Sequence, residues 1–383
     1  MRVVSLEAQL RHRRRWCSSD LDLLVEVSQE SLGGSHVLPY ASSAALEEVT
    51  PAPLTRYAVA SRLKNMLDDK CVVRRLLTSA DLPTPSHVEL ATNSTFEQIV
   101  RITGVPFVIQ PRFGSAGVGT ALIGDRAAYR TYMAGAGGSH MASRLVGSMT
   151  LNIHGVVTGR AIDVYWPTVQ LTGIEGFHTD WGGYCGSDAT AVRDLPADLV
   201  ASARALTARV GRMLAGLRYR GVFGVDLAVS EHTGEITVLE VNPRFQASTW
   251  LLDRGRDRTS IAARHVAAYG GTTTPFEPPG PADGAFLVIN APERAMVVEE
   301  IGCGRYVWSP EAGLRPACGT EAGTILSIFG APHRGTTVDR GSTIVRVLCT
   351  GRTLAAHGGR ALTPFGARMF AAASELVLRH CAC

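Results

Sequence analysis

Two acidic residues and one amide have the spacing best suited to chemistry in this chain: Asp226, Glu240 and Asn242. In Gly221-Val-Phe-Gly-Val-Asp-Leu-Ala-Val229, strand alternation puts Phe223, Val225, Leu227 and Val229 on one face and Gly224, Asp226 and Ala228 on the other. In Glu235-Ile-Thr-Val-Leu-Glu-Val-Asn242, Glu240 and Asn242 share a face. A three-residue turn, His232-Thr233-Gly234, pairs Glu231 with Glu235, and counting back sets Asp226 opposite Glu240. Carboxylates facing each other across a ladder repel, and Gly224 and Ala228 leave room above them. An all-oxygen Asp/Glu/Asn set in that position suits Mg2+, which is usually held by one or two carboxylates and substrate phosphates. The bland alternative is a solvated hairpin face that happens to be acidic.

Arg244 follows this set after Pro243. A guanidinium there can stabilise developing negative charge or form an ordinary salt bridge. Upstream, Phe107 to Gln110 runs into a turn with Gly114, Ser115, Ala116, Gly117 and Gly119. Glycines let backbone N–H groups approach phosphate closely, although a Gly-rich hairpin turn has the same composition. No Gly-Lys-Ser/Thr follows, so it is not a Walker A loop, and it does not fit a Rossmann turn. Of 38 Lys plus Arg only Lys64 and Lys70 are lysines, so the other 36 are arginines. A lysine persisting in so Arg-rich a chain is a candidate for a role as a compact point charge; Lys70 fits that, and Lys64 is taken as accident.

The elements that must position these groups are legible in outline. Lys70 to Ala80 reads as an amphipathic helix ended by Asp81-Leu82-Pro83-Thr84-Pro85. Val105–Gln110, Thr120–Ile123, Leu151–Val157 and Ala161–Leu171 read as strands, and Leu195–Leu217 as a long helix. Residues 221–242 form the hairpin, and a helix follows at about 258–269. The Gly- and aromatic-rich segment Thr172–Asp188 reads as a long loop, and its His178, Asp180 and Tyr184 are candidate substrate contacts. His178 or Asp180 is also a candidate acceptor of a substrate proton. A strand is expected at Leu21–Val27, a Pro/Gly linker near 274–281, strands at Ala285–Val288, Thr324–Ile328 and Thr343–Leu348, and a last helix near Pro364–His380. The C-terminal hundred residues show no chemistry of their own.

At 383 residues and 45% apolar composition the chain has room for two or three domains around sizeable cores. We expect 1–65 as a small leading region, 66–272 as the central domain and 283–383 as a C-terminal α+β domain. The net charge of +4 is mild and not clustered with aromatics, which argues against a nucleic-acid surface. No apolar stretch reaches membrane-span length, eight scattered cysteines form no framework, and a cytoplasmic location is expected.

Asp69-Lys70 before a helix, the Leu-Pro-Thr-Pro exit, the strand–Gly-Ser-Ala-Gly loop–strand, and Asp226 with Glu240-Val-Asn242-Pro243-Arg244 follow in the order found in ATP-grasp enzymes. Over about residues 65–270 the chain resembles that superfamily. Its Glu-x-Asn-Pro-Arg ending looks like the biotin carboxylase and carbamoyl-phosphate synthetase branch, and its layout is similar to peptide ligases of the pheganomycin type. The resemblance implies an α+β ATP-grasp fold, with a small pre-ATP-grasp region, a β-rich C-terminal domain, and ATP between two lobes. Lys70, Gln110 and the Gly114–Gly119 loop would touch the phosphates, and Ser143, Arg144, Leu145 and Val146 would meet adenine. Asp226, Glu240 and Asn242 would hold Mg2+, with Arg244 at the acyl-phosphate end. It further implies a soluble enzyme, compatible with a homodimer, that joins a small-molecule or peptide carboxylate to an amine in natural-product (antibiotic) biosynthesis. The rivals are acyl transfer to a carrier-protein thiol and a nucleotide-binding protein weakened in catalysis. Two departures bear on them: Gln110 stands where the family usually has lysine, and Met141–Met149 lacks the usual hinge glutamates.

Overall fold

The computed structural model describes residues 36–44, 47, 55–91, 93–159, 161–254, 259–271, 275–309, 313–318 and 324–382. The expected strand at Leu21–Val27 and most of the leading region lie outside these. Helix α1 (Ser61–Asp68) leads into α2 (Lys70–Ser79). Asp69 separates them and caps α2, its carboxylate accepting from the N–H groups of Cys71 at 3.0 Å and Val72 at 3.3 Å. Past α2 the Pro83–Pro85 exit leads to a small lobe: β1 (His87–Leu90), α3 (Phe96–Thr103), β2 (Phe107–Pro111), β3 (Ala121–Ile123), α4 (Arg126–Gly135) and β4 (His140–Arg144). Its strands are antiparallel in the order β1-β4-β2-β3. Ile99, Phe107, Ile109, Ile123, Tyr129 and Ala142 make its core.

A second, 11-stranded sheet holds most of the remaining strands. It contains β5 (Met149–Val157), β6 (Ile162–Val164), β7 (Thr168–Thr172), β8 (Tyr184–Asp188), β9 (Gly221–Val229) and β10 (Ile236–Asn242). Helix α5 (Ala197–Gly216) buries Val200, Ala203, Leu206, Thr207, Val210 and Leu214, the three-and-four spacing of a single stripe, against β5 and β9. Helix α6 (Ile261–Gly270) packs on the same two strands.

Two expectations change here. Ala161–Leu171 is not one strand: Pro167, with no N–H to donate, falls in the break between β6 and β7, and both pieces pair with β5. Thr172–Asp188 is not all loop, because Tyr184–Asp188 is a buried strand. Its composition hides it, since Tyr-Cys-Gly-Ser-Asp has no apolar alternation, and Gly186 sits at φ 152° where a side chain would strike the Phe286 carbonyl. Strand β8 pairs directly with β11 (Ala285–Asn290), so the C-terminal strands β12 (Gly304–Ser309), β13 (Gly313–Pro316), β14 (Thr324–Phe329) and β15 (Thr343–Cys349) continue the same sheet. The full order is β10-β9-β5-β7-β8-β11-β15-β14-β12-β13, with β6 beside β5. Helix α7 (Pro364–Leu378) covers this end.

Candidate active site

Between the small lobe and the large sheet lies a cleft of about 680 Å³. Its floor is the β5–β9–β10 ladder. Asn152, Asp226 and Glu240 stand in a row across the three strands, each directly opposite the next. The facing of Asp226 and Glu240 is the arrangement expected from sequence, but it is reached by another route. The hairpin loop holds four residues, 231–234, closed by Ser230 N–H to the Glu235 carbonyl at 2.9 Å. That loop shifts the register by one, so Leu227 faces Val238; Leu239 is then an extra residue that restores the pairing of Asp226 with Glu240. The bulge also turns two consecutive side chains, Leu239 and Glu240, toward the cleft.

Asp226 is enclosed by amides. Asn152 Nδ2 donates to its Oδ1 at 2.6 Å and Gln170 Nε2 at 2.7 Å, while Asn242 Nδ2 donates to Oδ2 at 3.0 Å. Burial, and after it the charge of Glu240, pushes the Asp226 pKa up to about 6. The room expected above Gly224 is filled by the Gln246 amide, which a Cβ at Gly224 would approach to 1.6 Å. The chemistry of this donor set fits a divalent cation: two facing carboxylates, one of them destabilised by burial and by the other. Asp226 retains an acceptor site, since a carboxylate offers roughly four lone-pair positions and three are used. Asn242 presents Nδ2 to Asp226 and Oδ1 to Arg244 Nη2 at 2.9 Å, so it gives an oxygen to an ion only with its amide reversed. Among the described residues no three His, Cys, Asp or Glu side chains form a metal cluster, so ligand oxygens would have to complete the shell.

The glycine loop closes the cleft from the small lobe. Gly114, Ser115, Ala116 and Gly117 line it; Gly119 does not, but its neighbour Thr120 does. Lys70 is 8% exposed and lies behind the wall. Its ammonium donates to the Gly114 carbonyl at 2.9 Å and stands 3.7 Å from Glu240, tying the glycine loop to the carboxylate hairpin. Asp69 adds a second tie through a bidentate contact with Arg112. Gln110, Ser143, Arg144, Leu145 and Val146 all line the cleft. Arg144 is also paired with Glu235 of the hairpin at 2.5 Å.

Arg244 lines the cleft as well, held over the Tyr40 ring and by the side-chain Oδ1 of Asn242. Of the three candidates from residues 172–188, only Tyr184 reaches the wall, its hydroxyl 2.7 Å from Ser187 Oγ. The structure does not bring His178 or Asp180 there. His178 is exposed at φ 56°, and Asp180 accepts the Gly119 N–H at 2.7 Å, which makes it a latch on the glycine loop. Its neighbours Trp181 and Gly182 line the cleft instead.

Several lining residues escaped the sequence reading. Asn152 and Gln170 carried a signal, each being a polar residue flanked by apolar ones in a strand. Lys64, taken as accident, lines the cleft while paired with Asp68 at 2.5 Å. Arg360, from the stretch expected to carry no chemistry, stacks over Trp181 at 4.1 Å and enters the lining. Arg74 and Gln246 gave no signal short of the tertiary fold.

A four-stranded lobe whose glycine loop covers a carboxylate-bearing hairpin of a larger antiparallel sheet is the ATP-grasp fold. Residues 67–248 match the family described as the ATP-grasp domain. Among solved structures the chain is similar to the biotin carboxylase domain dimer of the 2-oxoglutarate carboxylase of Hydrogenobacter thermophilus, solved with MgADP, ADP and bicarbonate. That match has a TM-score of 0.59 and 13% identity, covering 87% of this chain and 73% of that one. A biotin carboxylase from Campylobacter jejuni, complexed with βγ-ATP, matches with TM-score 0.61 and 11% identity over 90% of this chain and 79% of that one. Carboxyaminoimidazole ribonucleotide synthase of Aspergillus clavatus, complexed with ATP, matches with TM-score 0.59 and 14% identity over 88% and 79%. At these identities the likeness is one of fold.

Proposed function

We propose that this chain is an ATP-dependent, ADP-forming ligase that activates a carboxylate as an acyl phosphate and passes the acyl group to an amine. The observation that carries this is the convergence of Asp226, Glu240, Asn242 and Arg244 with the glycine loop on one cleft, within a fold whose neighbours are solved with ATP or ADP. In the proposed reaction a substrate carboxylate oxygen attacks the γ-phosphorus of ATP, ADP leaves, and an amine displaces phosphate from the acyl carbon. Asp226, Glu240 and Asn242 are the residues that would hold Mg2+, whose chemistry there is neutralisation of charge on the transferring phosphoryl group. The chain's own contribution is positioning. The Gly114–Gly117 backbone covers the phosphates, Lys70 fixes that loop to Glu240, Arg244 offers positive charge at the acyl-phosphate end, and Ser143–Val146 line the base.

An amine acceptor, and a peptide-forming role in natural-product biosynthesis, belong to the same proposal, as do a cytoplasmic setting and a homodimer. The peptide-forming reading is supported by a layout that resembles pheganomycin-type ligases, and the ligase chemistry by the Glu-x-Asn-Pro-Arg ending. No helix among the described residues is long and apolar enough to cross a membrane. The test is a screen of amino-acid and peptide pairs for ADP release that requires both a carboxylate and an amine. ADP release with a thiolated carrier but no amine would replace the acceptor, and ATP binding without turnover across the screen would remove the ligase assignment.

A further inference from the structure

Arg74 is the most deeply buried cation of the cleft, 1% exposed, and the proposed mechanism leaves it unused. It lies one helical turn after Lys70 on α2, so both project from the same face toward β10. Its Nη1 donates to the Val238 carbonyl at 2.7 Å and to Thr84 Oγ1, while its Nε has no hydrogen-bond partner among the described residues. No carboxylate of the described residues stands within ion-pair distance; Glu240, two residues beyond Val238, is the acid whose charge acts on it. Burial pulls its pKa down to about 10, so it is charged at neutral pH. A desolvated guanidinium without an ion-pair partner is costly, and it contributes to the lining of the cleft together with Glu240 and Ser143. Gln110, which lines the same cleft, brings no charge.

We infer that Arg74 neutralises a phosphate of the bound nucleotide, supplying from α2 the positive charge that Gln110 does not supply from β2. This rests on the proposed nucleotide site. A guanidinium offers donors only, so its ligand must present acceptor oxygens, and charge-assisted contacts of this kind contribute roughly 1.5–3 kcal/mol. That range corresponds to a tenfold to hundredfold change in affinity.

The experiment is titration calorimetry of the full chain with MgATP and, separately, with adenosine, for wild type, Arg74→Met, Gln110→Lys and the double variant. Arg74→Met should weaken MgATP at least tenfold and leave adenosine within about twofold. Adding Gln110→Lys to Arg74→Met should recover most of the loss, while Gln110→Lys alone should gain little. Equal losses for MgATP and adenosine, or additive effects of the two substitutions, overturn the assignment and leave Arg74 as a strut for Val238. Should Arg74→Met not fold, Arg74→Lys keeps a charge that Arg74→Gln lacks and should retain at least about threefold more MgATP affinity than Arg74→Gln; equal losses in the two count against the inference. If wild type binds neither ligand, the nucleotide site itself falls, a result distinct from an unaffected Arg74→Met.

Discussion

At the residue scale the site is a balance of like charges. Glu240 and Asp226 face each other, and three side-chain amides donate to Asp226. Removing one charge without changing shape should therefore spare the fold and remove the proposed metal contact. Glu240→Gln is expected to lower carboxylate-dependent ADP release by roughly 100-fold or more with little change in the melting transition. Asn242→Ala should lower it likewise and also cost about 1–3 kcal/mol of stability, because it strips a hydrogen bond from the buried Asp226. Glu375→Gln, on the far helix α7, should have no effect. Glu231 would be a poor control, because its carboxylate accepts from the backbone and hydroxyl of Ser148 beside the cleft. Asp180 gives a second discriminating measurement. As a latch on Gly119 its loss should alter KM for ATP by a few-fold and leave kcat near normal, whereas loss of a general base costs roughly 100-fold or more in kcat.

At the element scale the glycine loop and residues 173–183 form one interlocked unit. Gly117 sits at φ 72°, and a Cβ there would come within 1.9 Å of the Gly182 carbonyl oxygen; the Tyr184 N–H also donates to the Ala116 carbonyl at 3.0 Å. Gly117→Ala should push the two segments apart and raise KM for ATP about tenfold, while global stability falls by only about 1–2 kcal/mol. Steady-state kinetics beside urea unfolding would separate the two effects. The hairpin shows where sequence reading of an element succeeds and where it stops. Alternation placed Asp226 and Glu240 on one face, but the loop length and the Leu239 bulge depend on how β10 meets α2 and the Pro83 carbonyl, which accepts the Val238 N–H at 2.8 Å. Those contacts join residues more than 150 positions apart, and no local pattern encodes them.

At the scale of the whole molecule the sheet ties the cleft to global stability. His154 is fully buried on β5, bonded through Nε2 to Thr249 Oγ1 at 2.9 Å. Burial, and after it the charge of Arg244, depresses its pKa to about 3. The unfolded chain takes up this proton near pH 6.5 and the folded one does not. The resulting stability is present above about pH 6.5 and is lost as pH falls toward about 3. Between pH 7 and pH 5 this amounts to about 2 kcal/mol, so unfolding midpoints in urea should drop over that interval, and His154→Gln should flatten the drop.

What the sequence determined by itself is the set of groups whose spacing follows local periodicity: the Asp226/Glu240/Asn242 face, the helix opened by Asp69-Lys70, and the glycine turn between two strands. Strand alternation and helix capping act over a few residues, so they survive in one dimension. Tertiary structure alone decided which cations remain unpaired, that Gln246 fills the space over Gly224, that Asp180 is engaged by Gly119, and that Arg360 reaches the cleft. The physical reason is that burial and ion pairing are set by which distant elements pack together. A side chain's charge is written in the sequence, but its partner is chosen by the fold.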